Sequence, residues 1–424
     1  MSFIITKTMV LCSKELLYAI VICLGPFTFG NIAIYPSPTA EEIRRIHHLK
    51  ENALEWSFYN GVSSLTAIVG PFLTEFLLRI FKNSRKKTIF TLAIGGTVFW
   101  LFNLITKVSI WTGIVARALI GFVLGGYSSI SPMLLVEIAP KGLSGFYGSL
   151  NQFALVLATF IINCLGPHLN YLELSIYCAC FPFIQAFLIW FVPETGTNDP
   201  DTQVKSEQKE SLCQKKYAKG LMIGILMMVF QQFCGINAVI TNLVDLMNKS
   251  GLDFDPCYQA GIVQLSQLFA VFIGAVLVDK LGRKVVWMIS TLFVTVFLLI
   301  FALNTKYEWS NVLPLISIFL YEFGFGLGVG PIPWFIIPEY FDFNVRALAT
   351  EIVSASNWMC SFSIIFLWPL MKDGMGMFGS FLFFMVVSFI SFLFGFFVIT
   401  EPKQQHNGTL NAQLIADDLG VAST

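Results

Sequence analysis

Twelve apolar runs, most of them close to the length needed to cross a bilayer, constrain this chain more than any other feature of its sequence. About 20 apolar residues suffice for one crossing. The runs lie near 16–35, 56–80, 88–106, 110–135, 146–166 and 172–192, then near 220–244, 258–278, 285–303, 312–337, 348–371 and 377–399. Hydrocarbon offers no partner to a backbone N–H or C=O, so runs of this length must satisfy those groups within themselves, as helices. The bulk numbers agree. Of 424 residues, 56% are hydrophobic, 12% are charged and 43 are Phe, with mean hydropathy +0.73. Soluble domains carry about 25% charged residues, roughly twice as many. The expectation is an all-α membrane protein with 12 transmembrane helices.

The same composition excludes several classes. A net charge of zero argues against nucleic acid as a partner. The nine Cys are scattered without a CxxC, and His47, His48, His168 and His406 make no metal-ligand spacing. No nucleophile–base set stands out, so neither an enzyme nor a cofactor is expected. The first apolar run begins near Leu16 and lacks a small-residue cleavage site, which reads as a first span rather than a removable leader.

An even number of spans puts both termini on one side. Eighteen of the 26 Lys and Arg fall on that side, seven fall on the other, and Arg117 lies within a span. The positive-inside rule makes the termini cytoplasmic. The domains expected are a six-helix bundle over 1–195, a cytoplasmic linker over 196–219, a second bundle over 220–402 and a tail over 403–424. The halves read as a repeat. Glu137 after span four is followed seven residues later by Ser144, and Glu339 after span ten is followed seven later by Arg346. Glu194 and Glu401 close spans six and twelve at a similar offset. Repeated halves with a site at their interface are how many secondary transporters are built. The bland alternative is chance acids at helix ends.

Polar residues inside the runs carry the chemistry. Span seven holds Gln231, Gln232, Asn237, Thr241 and Asn242. Treated as one helix at about 100° per residue, these make a wide polar arc with Gly235 inside it. The side chains neither ionise nor attack, which suits a ligand rich in hydroxyls. Gln152 in span five, Gln264 and Gln267 in span eight and Asn357 in span eleven add further amides. Such an amide is otherwise interhelical glue. Span ten places four glycines before Pro331-Ile332-Pro333-Trp334, so its helix should break beside a cavity. Trp334 offers a flat apolar face, or else a simple interfacial anchor. Arg117, with Gly121 and Gly125 following, either snorkels to the surface or serves the site. Asp279, Lys280, Arg283 and Lys284 bridge spans eight and nine. They either latch to Glu339 and Glu401 or merely anchor topology.

Taken together, these motifs resemble the sugar porter family of the major facilitator superfamily. They are Arg117-x3-Gly121-x3-Gly125, Glu137-Ile138-Ala139-Pro140 with Gly145-x2-Gly148-x3-Gln152, Pro193-Glu194-Thr195-Gly196, Gln231-Gln232-x2-Gly235-Ile236-Asn237, Asp279-x2-Gly282-Arg283-Lys284 and Gly330-Pro331-Ile332-Pro333-Trp334. The resemblance runs from Gly25 to Glu401. It implies two pseudo-repeated six-helix bundles, the major facilitator fold, rocking about a central hexose site. Sugar contacts carry over to Gln152, Gln231, Gln232, Asn237, Gln267, Trp334 and Asn357. Cytoplasmic gating contacts carry over to Glu137, Glu194, Asp279, Arg283, Glu339, Arg346 and Glu401. The first-half latch lacks members of the pattern, since Ser144 stands for an Arg and the loop Phe81–Lys87 has neither Asp nor Gly. Thr241-Asn242 replace the paired aromatics that often gate the outer side.

Proton-coupled members carry an acid in span one, and none occurs here from Leu17 to Ala40. The expected function is therefore facilitated diffusion (uniport) of a hexose such as glucose. The protein should work as a monomer in the plasma membrane, with the sugar and the lipid bilayer as its only partners. A proton-coupled sugar or polyol symporter, with Glu322 as its acid, is one alternative. A sensor that binds sugar without moving it is the other.

Overall fold

The computed structural model describes residues 14–140, 144–195, 212, 214–248, 251–341 and 343–400. All regular structure among the described residues is helical. Eleven helical stretches are long and apolar enough to cross a membrane. The last, Leu348–Phe397, has 50 residues, which at 1.5 Å per residue is about 75 Å, more than twice the hydrocarbon thickness. It is two spans. Gly376, at φ 68 and ψ 176, interrupts the helix, and the total becomes the twelve expected.

Span boundaries follow local chemistry. Span three starts where the Ser84 side chain accepts the Lys87 N–H, which satisfies one of the free donors of a helix N-terminus. Asn170 and Glu173 form a reciprocal capping box at the start of span six. Between spans two and three, Lys82 and Asn83 take positive φ of 51 and 62, so the tight reversal is made without a glycine. Span two bends between Leu54–Ala67 and Gly70–Ile80. Span four passes it closely. A Cβ at Gly121 would collide with Thr66 Oγ1 and the Ser63 carbonyl, so only a glycine permits the approach.

Two features depart from the sequence reading. A short amphipathic helix, Pro36–Ile46, follows span one in a stretch that the apolar runs leave unassigned. Span seven is not one continuous helix. It runs Lys215–Phe233, breaks, resumes as Ile236–Thr241 and ends as Leu243–Asn248. Gly235 makes the break, with φ of 93, a conformation costly to any residue with a Cβ.

The two halves meet along spans two and eleven and along spans five and eight. Outside, large apolar side chains such as Phe76, Phe187, Phe269 and Phe397 are more than half exposed. In water such a surface would drive association, whereas a bilayer covers it. This is a multi-pass membrane protein.

Candidate functional site

A narrow cavity of about 80 Å³ lies between the halves, several times the 10–15 Å³ or so that one water requires. All seven side chains singled out for ligand contact line it: Gln152, Gln231, Gln232, Asn237, Gln267, Trp334 and Asn357. Gln264, the alternative to Gln267, does not. Its Oε1 accepts a hydrogen bond of 2.8 Å from Thr159 Oγ1, so it ties spans five and eight together.

The break at Gly235 decides how the span-seven amides meet. Because the helix restarts there, Asn237 turns back toward Gln232, and its Nδ2 donates to Gln232 Oε1 at 2.6 Å and to Ser361 Oγ at 2.9 Å. Gln232 Nε2 donates to Asn357 Oδ1 at 3.2 Å, and Asn357 Nδ2 donates to Gln231 Oε1 at 2.7 Å. Gln231 Nε2 is held by the carbonyls of Val329 and Gly330 at 3.0 and 2.7 Å. Those carbonyls are available because span ten widens into a π turn at Phe325–Val329 before resuming at Ile332–Glu339. The glycine–proline run thus does break the helical ladder, and beside the cavity.

Span two contributes Asn60, Ser63 and Ser64 to the lining, and span eleven adds Ser361. None of these was singled out from the sequence. The signal was present, since Asn60, Ser63 and Ser64 share a helix face at i, i+3 and i+4, as do Asn357 and Ser361 at i, i+4. Ser361 Oγ donates to Ser64 Oγ at 3.1 Å, bridging the halves. Trp358, beside Asn357, donates its indole N–H to Ser128 Oγ at 3.3 Å and makes a second bridge.

Arg117 does not snorkel. It is 1% exposed, lines the cavity and donates to the Ile32 carbonyl at 3.0 Å and to Ser63 Oγ at 3.1 Å. Tyr35 and Tyr59 flank its guanidinium, with ring centroids 5.9 and 5.8 Å away. Such rings favour a cation removed from water. Arg117 is the one ionisable side chain among the described lining residues.

At the end of the molecule that carries the termini, the first half holds a polar cluster. Arg85 pairs with Glu137 at 3.1 Å. Glu194 accepts from Ser84 Oγ at 2.6 Å and from the Arg85 backbone N–H at 2.7 Å. Thr195 Oγ1 donates to Glu137 at 2.6 Å. Arg85 thus supplies the cation that the missing first-half pattern had left in question. In the second half, Asp279, Glu339 and Arg346 fall on helices but their side chains lie outside the described residues, and Glu401 lies outside them altogether. Arg283 opens span nine, half-buried and engaged with its surroundings.

A family model described as "Sugar (and other) transporter" matches residues 18–197 and 196–411. The chain is 28% identical over 439 residues to the facilitated trehalose transporter Tret1 of Polypedilum vanderplanki, covering 92% of this chain and 86% of that one. It is 26% identical to sugar transporter ERD6-like 16 of Arabidopsis thaliana, over 80% of this chain and 78% of that one. Among solved structures, it resembles the xylose transporter XylE of E. coli in a partially occluded inward-open conformation. The TM-score is 0.79 at 20% identity, with 93% of this chain and 100% of that one covered.

Proposed function

The chain belongs to the sugar transporter family, and from that premise we propose that it carries a hexose such as glucose across the membrane by uniport. The observation that carries the reading is the composition of the cavity wall. Neutral amides and hydroxyls line it beside Trp334 and other apolar side chains, and no carboxylate is among its described lining residues. Amides donate and accept at once, which matches a ring of hydroxyls that do the same. An indole face suits the C–H side of a pyranose. Coupling to protons needs a titratable group in the path, and Arg117, already tied to a carbonyl, a hydroxyl and two rings, is a poor one.

Alternating access would rock the halves about spans two, five, eight and eleven. The Arg85–Glu137–Glu194 cluster would hold the inner ends of the first bundle together during that motion. The Lys/Arg bias supports cytoplasmic termini, with the opposite end outside. One chain encloses the whole cavity, which supports function as a monomer, and the plasma membrane is the site proposed.

Uptake of labelled glucose into proteoliposomes is expected to survive a protonophore, and strong inhibition would overturn uniport. Glu322 is the observation favouring the proton-coupled alternative. It is fully buried in span ten, and neither carboxylate oxygen has a hydrogen-bond partner among the described residues. Countertransport of preloaded glucose, with Gln231→Ala as the inactive control, separates a carrier from a sensor. Because the relatives' names include trehalose and xylose, both belong in the competition series.

A further inference from the structure

Thr241 and Asn242, which stand where a bulky lid over the cavity would be expected, turn back along their own helix. Thr241 Oγ1 donates to the Asn237 carbonyl at 2.7 Å, and Asn242 Nδ2 donates to the Ala238 carbonyl at 2.9 Å and to Thr241 Oγ1 at 3.1 Å. Both side chains are thus spent on their own helix. The chain then breaks at Asn242, whose φ is −122, and the end piece Leu243–Asn248 lies against the short helix Pro36–Ile46 of the other half.

Two contacts fix it there. Asp245 accepts from both terminal nitrogens of Arg44, at 2.7 and 3.0 Å. The Val244 N–H donates to Ser37 Oγ at 3.0 Å. The Arg44 and Asp245 side chains are only 12% and 15% exposed, and the guanidinium lies 5.3 Å from the ring centroid of Trp56, itself buried. Burial works against the Arg44 charge, but the hydrogen bonds and charge of Asp245, with smaller help from the charges of Glu51 and Glu41, more than offset it and hold the guanidinium above its ordinary pKa. Other ties between the halves at this end are peripheral. Lys372 meets Glu51 at 3.1 Å with the acid 43% exposed, and Asn52 donates to Asp373 at 2.9 Å in the open.

We propose that Arg44 and Asp245 form the outer gate, a charge latch that the hinged end of span seven carries in place of a side-chain lid. It rests on the alternating-access reading above and on the far end facing outside. The latch sits just above the cavity, since Ile240 and Thr241 line that cavity and Asp245 follows within about one turn and a half. Breaks at Gly235 and Asn242 let the end piece swing while Lys215–Phe233 stays packed. Paired, the two charges bury at tolerable cost; parted, each regains water, so open and closed states compete closely. A polar vestibule lined by Glu41, Glu42, Arg45 and Asp255 adjoins Asp245 and would receive the separated charges.

The test uses Ile240→Cys as a reporter in intact cells, labelled with a membrane-impermeant maleimide, with the parent chain as background. Removing one partner leaves the other charge part-buried and alone, which penalises closure; Asp245→Asn or Arg44→Met should therefore speed labelling about tenfold. The exchange Arg44→Asp with Asp245→Arg should return the rate toward the parent value. Glu51→Gln, at an exposed pair, should change it less than about twofold. Asp245→Asn keeps the native shape and carries the test if Arg44→Met fails to reach the membrane. Equal labelling in all variants, or an exchanged pair as fast as the single substitutions, would overturn the latch. Acceleration confined to reagent applied to inverted vesicles would overturn its placement outside. Because labelling needs no sugar, failure of glucose countertransport with this labelling pattern intact would overturn the substrate reading alone.

Discussion

The cavity has two kinds of polar wall. On one side, Gln231, Gln232, Asn237 and Asn357 are bonded to one another, and the chain of contacts continues through Ser361 to Ser64. On the other side, Gln152 and Gln267 face the cavity from spans five and eight without a hydrogen-bond partner among the described residues. Amides already bonded are held in one geometry, and they shape the site before any ligand arrives. Unengaged amides gain a partner only when a ligand comes. On the proposed reading, the first wall would set where a sugar can lie, and the second would reward its arrival. Both roles are needed because a buried amide left unsatisfied is costly and a fully satisfied one has little to offer.

Substitutions can break this contrast, and the largest effect is expected at the hinge of the bonded wall. Gly235→Ala would force a Cβ into a left-handed residue, at about 1–2 kcal/mol, and into the ring of Phe384. Transport should fall to background and the yield of folded protein in detergent should drop. Next comes Asn357→Ala, which leaves Gln231 Oε1 and Gln232 Nε2 with only their long 3.5 Å bond to each other, at a cost of about 1–3 kcal/mol for the weakened pair. Glucose uptake should fall by more than about tenfold, and melting in detergent should shift down by several degrees. The unengaged wall should behave differently. Gln152→Ala or Gln267→Ala removes one bond to the ligand, about 0.5–1.5 kcal/mol, so KM should rise roughly two- to tenfold with the melting temperature unchanged. A drop in stability equal to that of Asn357→Ala would erase the distinction. The smallest change is expected for Ser64→Ala, which removes one bond between the halves. Interhelical bonds of this kind average about 0.6 kcal/mol, so uptake should shift about twofold.

Much of this arrangement was legible in the sequence because hydrocarbon punishes polarity. Twelve spans could be read from apolar length, and the amides of spans five, seven, eight and eleven were conspicuous by their depth. Residues whose partners lie far along the chain were harder. Nothing near Arg44 announces that Asp245, two hundred residues on, holds it, and the helix Pro36–Ile46 is too charged to register as an apolar run. Ser64 and Ser361 were overlooked because hydroxyls in spans commonly bond back to their own helix, as Thr97 and Ser363 do here. Gly235 was read as a small residue on a continuous arc; its left-handed backbone, which the sequence leaves open, is what brings Asn237 back to Gln232. Arg117 posed the opposite problem. A long basic side chain near a span end ordinarily reaches for water, and the Ile32 carbonyl, Ser63 and the flanking Tyr35 and Tyr59 explain why this one stays inside.

The widened turn at Phe325–Val329 has a mechanical consequence. It exposes two carbonyls, and Gln231 spends its whole amide nitrogen on them, so a side chain of the sugar wall also works as a strut between spans seven and ten. If the segment beyond the turn tilts, those two bonds must lengthen, and the pull arrives at Asn357 through Gln231 Oε1. On the proposed reading, ligand grip and helix tilt would be geared together through this single residue.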